Sequence, residues 1–380
     1  MPSKGDAVLE LTRELVARPS VTPHDAGCQR LIAARLLPLG FNVEWFYCGE
    51  VSNLLLTRGM GSPSLWFLGH TDVVPTGPEE RWTFPPFRPD EKDGELYGRG
   101  VADMKGAVAA MVVALERFVQ ERPEHGGQVG LVLTSDEEGK AADGIARVAA
   151  ELRRRGRHPD HCLVGEPSSQ QRLGDTVRIG RRGSIYVRLR VNGIQGHTAF
   201  PQNLDNPVHR MAPFLEELVN QEWDSGDVDF PSSHCQIASL QAGTGAGNVT
   251  PAFADLVVNF RNGPSSPSVS IRERFESLLE KHGIEDYEIV WNIMGEPFHS
   301  TPGPLRQAVL DAVEDNLGIT PDLNTGGGTS DGRFIAPLGS EVIELGLLNR
   351  TIHQIDERSP VTDLEALAEI YQDIIRRILP

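Results

Sequence analysis

The chain has 380 residues, and its 53 aspartates and glutamates outnumber its 36 lysines and arginines, which gives a formal charge of −17. This charge repels polyanions, so it argues against nucleic acid or an anionic membrane as a partner. With 39% hydrophobic residues, the length allows two domains of ordinary size and a sizeable buried core.

Strands and helices alternate through the first part of the chain. The apolar patterns predict helices over 7–16, 25–37, 107–120 and 144–155, and strands over 41–47, 51–57, 64–68, 128–134 and 162–164. Such alternation is typical of a largely parallel sheet in a three-layer α/β fold.

The pattern changes after Arg182. Residues 185–191 alternate apolar and polar side chains, as a strand with one wet face does. We predict further strands over 236–241, 256–260 and 287–293, with helices over 208–219 and 269–282. These elements indicate a compact α/β unit with an antiparallel sheet and two helices.

After Gly295 the chain returns to the first pattern, with helices predicted over 305–317 and 364–379 and a strand over 342–345. We therefore predict a discontinuous domain of residues 1–182 and 296–380. A smaller domain of residues 183–295 is inserted into it.

Targeting signals and cysteine pairs are not apparent. No stretch approaches the ~20 apolar residues that span a bilayer, and the segment 1–6 lacks the apolar core of a secretory leader. The cysteines are scattered, without the spacing of a zinc or redox motif. We predict a cytoplasmic protein with reduced thiols at Cys28, Cys48, Cys162 and Cys235.

Polar side chains follow several predicted strands. His70 closes the strand that contains residues 65–68, Glu137 and Glu138 follow Thr134, and Glu166 comes shortly after Val164. The turn "GRGVADMKG", just before a helix, adds a further acid. Because the carboxyl ends of parallel strands meet at one crevice, we expect these side chains to lie together.

Several carboxylates cannot all stay ionised in one crevice without a compensating cation. Imidazole nitrogen and carboxylate oxygen are the ligands of zinc in hydrolytic enzymes, so this set predicts a metal site. A second histidine would allow two ions that share a carboxylate. His353 in "NRTIHQIDE" is the strongest candidate, since it follows a predicted strand and the turn at Gly346.

Five segments, "GHTDVVP", "YGRGVADMKG", "LTSDEEG", "VGEP" and "TIH", resemble the metal-binding segments of the M20 metallopeptidase family and occur in the same order. Longer stretches, such as "GRRGSIYVRLRVNGIQGHTAFP" and "NTGGGTSDGRFIAPLG", resemble family members that cleave N-succinyl-LL-2,6-diaminopimelate. The resemblance spans nearly the whole chain. It implies a zinc-peptidase-like topology, hydrolysis of this small-molecule amide in lysine and diaminopimelate biosynthesis, and a homodimer formed through the inserted domain.

The resemblance also implies a ligand set for two Zn²⁺ ions per subunit, with Co²⁺ able to replace one of them. Asp103 bridges the two ions. His70 and Glu166 complete one site, and Glu138 and His353 complete the other.

The same resemblance assigns three catalytic roles. Asp72 accepts the second ring N–H of His70 and thereby fixes its tautomer. Glu137 serves as the general base that takes a proton from the attacking water and returns it to the departing amine. His197 crosses the dimer interface to the partner's active site. Phe200 departs from the pattern, because some relatives carry tyrosine at this position.

Substrate recognition requires positive charge, because a succinylated diamino-dicarboxylate carries several carboxylates. Arginine side chains can make forked contacts to them, and a glycine-rich loop can offer backbone N–H groups. The resemblance to the family implies that the substrate-binding residues are Arg181, Ser184, Asn248, Arg261, Gly327, Gly328, Thr329, Ser330, Arg333 and Asn349.

Two alternatives stay open. The chain could be another hydrolase of the same family, such as an acetylornithine deacetylase, an aminoacylase or a dipeptidase, with the same metal residues. It could instead be a non-catalytic dimeric relative that binds an amino-acid-like ligand.

Overall fold

The computed structural model describes residues 6–379, so the segment 1–5, on which the prediction about a leader depends, lies outside the described residues. The helices are α1 (Asp6–Val16), α2 (Cys28–Leu36), α3 (Gly106–Glu121), α4 (Ile145–Arg154), α5 (Pro207–Asn220), α6 (Ser268–Lys281), α7 (Pro304–Leu317), α8 (Gly332–Ile335) and α9 (Val361–Ile378).

The strands are β1 (Asn42–Cys48), β2 (Val51–Gly59), β3 (Ser64–His70), β4 (Asp90–Lys92), β5 (Glu95–Tyr97), β6 (Gln128–Thr134), β7 (His161–Val164), β8 (Thr176–Arg178), β9 (Gly180–Arg181), β10 (Gly183–Asn192), β11 (His234–Ala242), β12 (Phe253–Asn262), β13 (Tyr287–Gly295), β14 (Phe298–His299), β15 (Asp322–Asn324), β16 (Glu341–Glu344) and β17 (Arg358–Pro360).

The chain divides into two compact units. Unit 1 comprises Met1–Gly180, His299–Asn324 and Ser330–Pro380, and unit 2 comprises Arg181–Phe298 and Thr325–Thr329. Each unit has its own hydrophobic core.

Unit 1 is built on a sheet whose eight strands within residues 6–379 have the order β1-β2-β6-β3-β7-β16-β8-β15. The centre is parallel, from β6 through β3 and β7 to β16. β1 and β2 add an antiparallel edge. The prediction of a mostly parallel sheet with a separate antiparallel sheet is confirmed.

The register of the central strands aligns their carboxyl ends. His70 of β3 lies opposite Thr134 of β6, while Val164 of β7 lies opposite Leu68 of β3 and Glu344 of β16. Side chains that follow these residues therefore start from one edge of the sheet.

Both faces of the central strand β3 are covered by other parts of the chain. Every residue of β3 is buried, which explains its continuous apolar run. Phe67 packs against Tyr371 of α9, with ring centroids 5.2 Å apart. Its neighbour Trp66 points the other way, where the Arg157 guanidinium, just after α4, lies 5.4 Å from its ring. Helix α9 also packs against α3 and α7.

Unit 2 contains an antiparallel sheet with the strand order β11-β12-β10-β13. Burial alternates along β10 and β12, as the sequence pattern predicts. The buried side chains form a core with α5 and α6, in which Phe214 and Phe275 meet edge to face with ring centroids 5.4 Å apart.

Helix α2 begins at Cys28, three residues later than predicted. The Asp25 carboxylate accepts hydrogen bonds from the Gln29 N–H, so Asp25 acts as a local cap instead of joining the helix. Ala26 and Gly27 have positive φ angles of 52° and 84°, which a right-handed helix does not allow.

In the described part of the chain no helix combines the length and apolar character that crossing a membrane requires. The four cysteines are free thiols.

Candidate metal centre

Five elements of unit 1 bring the predicted ligands to one edge of the sheet. His70 is the last residue of β3, and Glu138 and Glu166 lie in the turns after β6 and β7. Asp103 lies in the distorted turn Val101–Lys105 that leads into α3. His353 lies in the loop after β16.

The first group of donor atoms consists of His70, Asp103 and Glu166, all buried. The Nε2 atom of His70 lies 3.2 Å from Oδ1 of Asp103 and 3.7 Å from Oε1 of Glu166. One imidazole nitrogen and two carboxylate oxygens can converge there on one ion.

The second group consists of Asp103, Glu138 and His353. The Nε2 atom of His353 lies 3.0 Å from Oε1 of Glu138 and 3.4 Å from Oδ2 of Asp103. The two oxygens of Asp103 therefore face different groups. A carboxylate shared in this way is the arrangement of paired metal ions in hydrolases.

The charges of the centre require compensation. Burial alone would raise the pKa of Asp103, but hydrogen bonds from His353 and His70 outweigh it and lower that pKa. Hydrogen bonds to Asp103 and Glu138 raise the pKa of His353 to about 10. Burial, and then the charge of Glu166, raise the pKa of Glu137 well above its usual value. Nitrogen and carboxylate donors in this number fit divalent cations such as zinc, which would supply the missing positive charge.

The orientation of His70 is fixed through Asp72, but not as predicted. The Nδ1–H of His70 donates to the backbone carbonyl of Asp72 over 2.9 Å, whereas the nearer Asp72 carboxylate oxygen is 3.6 Å away. That carboxylate accepts the N–H groups of Glu137 and Glu138 over 3.3 and 3.1 Å. It thus holds the turn that carries both acids, while the Nδ1 contact leaves Nε2 of His70 facing Asp103 and Glu166 in the first donor group.

Two buried acids beside the centre were not singled out from the sequence. Glu357 forms a buried ion pair with Arg99, over 2.7 Å. Asp331 follows the glycine loop, and among the described residues neither of its buried oxygens has a hydrogen-bond partner. Burial raises the pKa of Asp331 to about 7, although Arg333 opposes this effect. Their only sequence signal was a place within the segments "TIHQIDE" and "TSDG".

Unit 2 holds the larger share of the predicted substrate-binding residues. Arg181 is buried, and its Nη1 donates to the carbonyls of Gly326 and Gly328 over 3.1 and 3.3 Å. Ser184 lies opposite Arg261 in the β10–β12 register. The other members in this unit are Asn248, Gly327, Gly328 and Thr329.

His197 lies on an exposed loop of unit 2. Its Nδ1 accepts the Ala199 N–H over 3.1 Å, and its ring contacts Phe200 edge-on. Since Nδ1 is an acceptor, a neutral His197 carries its proton on Nε2. The carbonyl of Asn248 accepts the Thr198 N–H over 3.1 Å, so these two loops are joined.

The substrate-binding candidates of unit 1 have internal partners. Ser330 is buried and its hydroxyl donates to Glu344. Arg333 donates to the Ser330 carbonyl over 3.1 Å and lies over the Phe334 ring. The N–H of Asn349 donates to the Ser169 carbonyl over 2.9 Å. The structure therefore gives Ser330 and Arg333 a part in holding the start of α8.

Two donor groups joined by one carboxylate, at the strand ends of an α/β sheet, are the arrangement found in metal-dependent hydrolases with paired ions. The sequence profile of peptidase family M20/M25/M40 matches residues 66–377, and the chain belongs to this family.

Comparison with known proteins extends this similarity over nearly the whole chain. The chain is 53% identical to a succinyl-diaminopimelate desuccinylase of Halorhodospira halophila, with 98% of both chains covered. It is 51% identical to the protein of that name from Stenotrophomonas maltophilia, covering 98% of this chain and 99% of the relative. The crystal structure of an M20 family metallo-carboxypeptidase from Sulfolobus solfataricus superposes with a TM-score of 0.79 at 16% identity, covering 100% and 99% of the two chains. The protein is thus a metal-dependent amide hydrolase with the fold of its family.

Proposed function

We propose that the protein hydrolyses N-succinyl-LL-2,6-diaminopimelate to succinate and LL-2,6-diaminopimelate, as a cytoplasmic step of lysine and diaminopimelate biosynthesis. The proposal of hydrolytic activity rests on one observation, the pair of donor groups that share Asp103. The substrate is supported by the names of relatives that are more than 50% identical over 98% of the chain.

The centre is proposed to hold two Zn²⁺ ions, with Co²⁺ as an alternative in one site. His70 and Glu166 would hold one ion and Glu138 and His353 the other, with Asp103 available to both, since it belongs to both donor groups. When bound, the metal pair supplies Lewis acidity that polarises the amide carbonyl and makes the attacking water more acidic.

Glu137 is proposed as the general base. Its neighbour Glu138 joins a donor group, whereas Glu137 belongs to neither group found in the described part of the chain. The turn is anchored because both backbone N–H groups bond to the Asp72 carboxylate. Glu137 takes the proton of the attacking water and delivers it to the departing amine.

His197 is proposed to act in the active site of the partner subunit of a homodimer. Its exposed side chain and its Nε2–H, fixed by the Ala199 contact, support a role as hydrogen-bond donor to the developing oxyanion. The inserted domain, residues 183–295, is proposed as the dimerisation domain. Phe200 has no hydroxyl to add a polar contact.

The substrate carboxylates are proposed to bind arginine and glycine-loop donors. Arg181 lies beside the glycine loop, where its Nη1 donates to the carbonyls of Gly326 and Gly328, and Arg261 lies opposite Ser184, another of the candidates. A guanidinium makes forked contacts that suit a carboxylate.

A turnover assay with stepwise metal restoration tests this proposal. The protein is stripped with a chelator, zinc is returned in known equivalents, and amide cleavage is measured on N-succinyl-LL-2,6-diaminopimelate, acetylornithine and dipeptides. We expect kcat/KM for the succinyl substrate to exceed the others by on the order of 100-fold or more. A higher value for acetylornithine or a dipeptide would assign the chain to another activity of its family.

A further inference from the structure

The turn that presents Asp103 receives support from a distant part of the chain. The turn Val101–Lys105 contains non-helical backbone angles at Asp103 and Met104, so it cannot satisfy its amides as a regular helix does. Within it the Lys105 N–H donates to the Gly100 carbonyl over 2.8 Å. The N–H groups of Gly100, Ala102 and Asp103 require acceptors from elsewhere.

One carboxylate accepts all three of these N–H groups. Oε1 of Glu357 accepts from Ala102 over 3.0 Å and from Asp103 over 3.1 Å. Oε2 accepts from Gly100 over 3.0 Å and from the Arg99 guanidinium over 2.7 Å. Glu357 is 1% exposed, so these bonds form without competition from water.

Arg99 connects this support to the loop of His353. Its Nη1 also donates to the Gln354 carbonyl over 3.1 Å, one residue beyond His353. Its guanidinium lies 5.1 Å from the Trp82 ring, and Arg99 is only 2% exposed. Arg99 and Glu357 therefore tie the Asp103 turn to the segment that carries His353.

We infer that Glu357, held by Arg99, is a positioning residue that sets the Asp103 carboxylate between the two donor groups. This inference rests on the proposed metal centre. Asp103 must direct Oδ1 to one group and Oδ2 to the other, so a small shift of its backbone weakens both. Outer partners of metal ligands act in this way by orienting them.

Glutamine is the informative replacement for Glu357. Its amide has one acceptor oxygen, so its NH₂ must face two donors: either Arg99 and the Gly100 N–H, or the N–H groups of Ala102 and Asp103. A buried donor left without an acceptor is unfavourable, so the turn shifts in Glu357→Gln. Glu357→Asp keeps the charge but is one methylene shorter, and it is the milder variant.

A matched control exists in the same unit. Glu341 accepts the N–H groups of Leu305 and Arg306, each over 2.9 Å, and pairs with His161 over 3.1 Å. It resembles Glu357 as a carboxylate that holds two or more backbone amides, but it supports α7. Glu341→Gln therefore reports what the loss of such an anchor does elsewhere.

The experiment measures zinc dissociation constants by chelator competition and amide hydrogen exchange in the metal-free proteins. We expect Glu357→Gln to weaken zinc binding by about 10–100-fold and to speed exchange at Gly100, Ala102 and Asp103. Glu357→Asp should change zinc affinity and amide exchange in the same direction, but by smaller factors. It becomes the test variant if Glu357→Gln does not fold. Glu341→Gln should leave zinc affinity unchanged, and any faster exchange that it causes should be general instead of concentrated at these three amides.

Several results overturn the inference. Zinc affinity within twofold of wild type in Glu357→Gln or, failing that variant, in Glu357→Asp assigns Glu357 to stability alone. An equal loss in Glu341→Gln has the same meaning. If the wild-type chain itself binds no zinc, the proposed function fails, and the inference fails with it.

Discussion

At the residue scale, the proposed centre depends on Glu137 and Glu138, two acids that are adjacent in the sequence but have different surroundings. Glu138 faces His353 over 3.0 Å, while Glu137 lies outside both donor groups found among the described residues. Their backbone N–H groups share the Asp72 carboxylate. Because one anchored turn carries both acids, one can bind metal while the other moves a proton.

Glu137→Gln should lower kcat by about 10²–10⁴-fold, the usual contribution of a general base. Zinc content should stay at the wild-type level, because the replaced carboxylate belongs to neither donor group found among the described residues. Kinetics on the succinyl substrate and metal analysis of the same preparation measure both quantities. Glu138→Gln is the matched control and should lose zinc. If Glu137→Gln lost zinc and Glu138→Gln kept it, Glu137 would be the metal ligand and Glu138 the general base.

The sequence predicted which side chains gather at the sheet edge, but not every atom that holds them. His70 and Glu166 follow apolar runs whose ends a parallel sheet must align. His70 hydrogen-bonds to the backbone carbonyl of Asp72 and not to its carboxylate. This choice depends on side-chain rotamers, which the sequence pattern does not specify. Glu357 bonds to the Asp103 N–H across 254 positions, a pairing that no local pattern reveals.

At the element scale, the long strands and helices were predictable and the short ones were not. β6 and β13 contain apolar runs or an alternation of apolar and polar residues, and these patterns identify both segments as strands. β9 has two residues and β17 has three, too few for any periodicity. The antiparallel edge formed by β1 and β2 also escaped prediction, because strand direction depends on connections, not on side-chain pattern.

Helix α7 is stabilised at its start by Glu341 of β16. Burial alone would raise the pKa of Glu341, but hydrogen bonds from His161 and from the N–H groups of Arg306 and Leu305 outweigh it and lower that pKa. A carboxylate with a lowered folded-state pKa stabilises the fold above its unfolded pKa, and this contribution is lost as pH falls through the folded value.

Glu341→Gln should therefore lower the free energy of unfolding by about 1 kcal/mol at pH 7, the size expected for a helix cap. The difference from wild type should shrink as pH falls below about 4. Denaturant unfolding at several pH values measures it. A difference that grows toward acid would contradict the assigned role of the ionised carboxylate.

At the scale of the whole molecule, the proposed role of His197 makes each active site depend on two chains. A twofold dimer would then contain two sites, each built from Glu137 of one subunit and His197 of the other. A homodimer in which both subunits carry the same substitution cannot test this arrangement, but a heterodimer with a different substitution in each subunit can.

A heterodimer of one His197→Ala subunit and one Glu137→Gln subunit should recover activity, although each homodimer is impaired. One of its two sites contains both wild-type residues, so turnover per dimer should be about half that of wild type. Co-expression with two affinity tags yields this species. If His197 served its own subunit, both sites of the heterodimer would lack a residue and no activity would return.

Anomalous diffraction at the zinc edge, from crystals grown with zinc, tests the paired metal centre most directly. We expect two peaks per subunit on either side of the Asp103 carboxylate, one about 2.0–2.2 Å from donor atoms of His70 and Glu166 and the other at the same distance from Glu138 and His353. A single peak, or peaks away from these five side chains, would contradict the account.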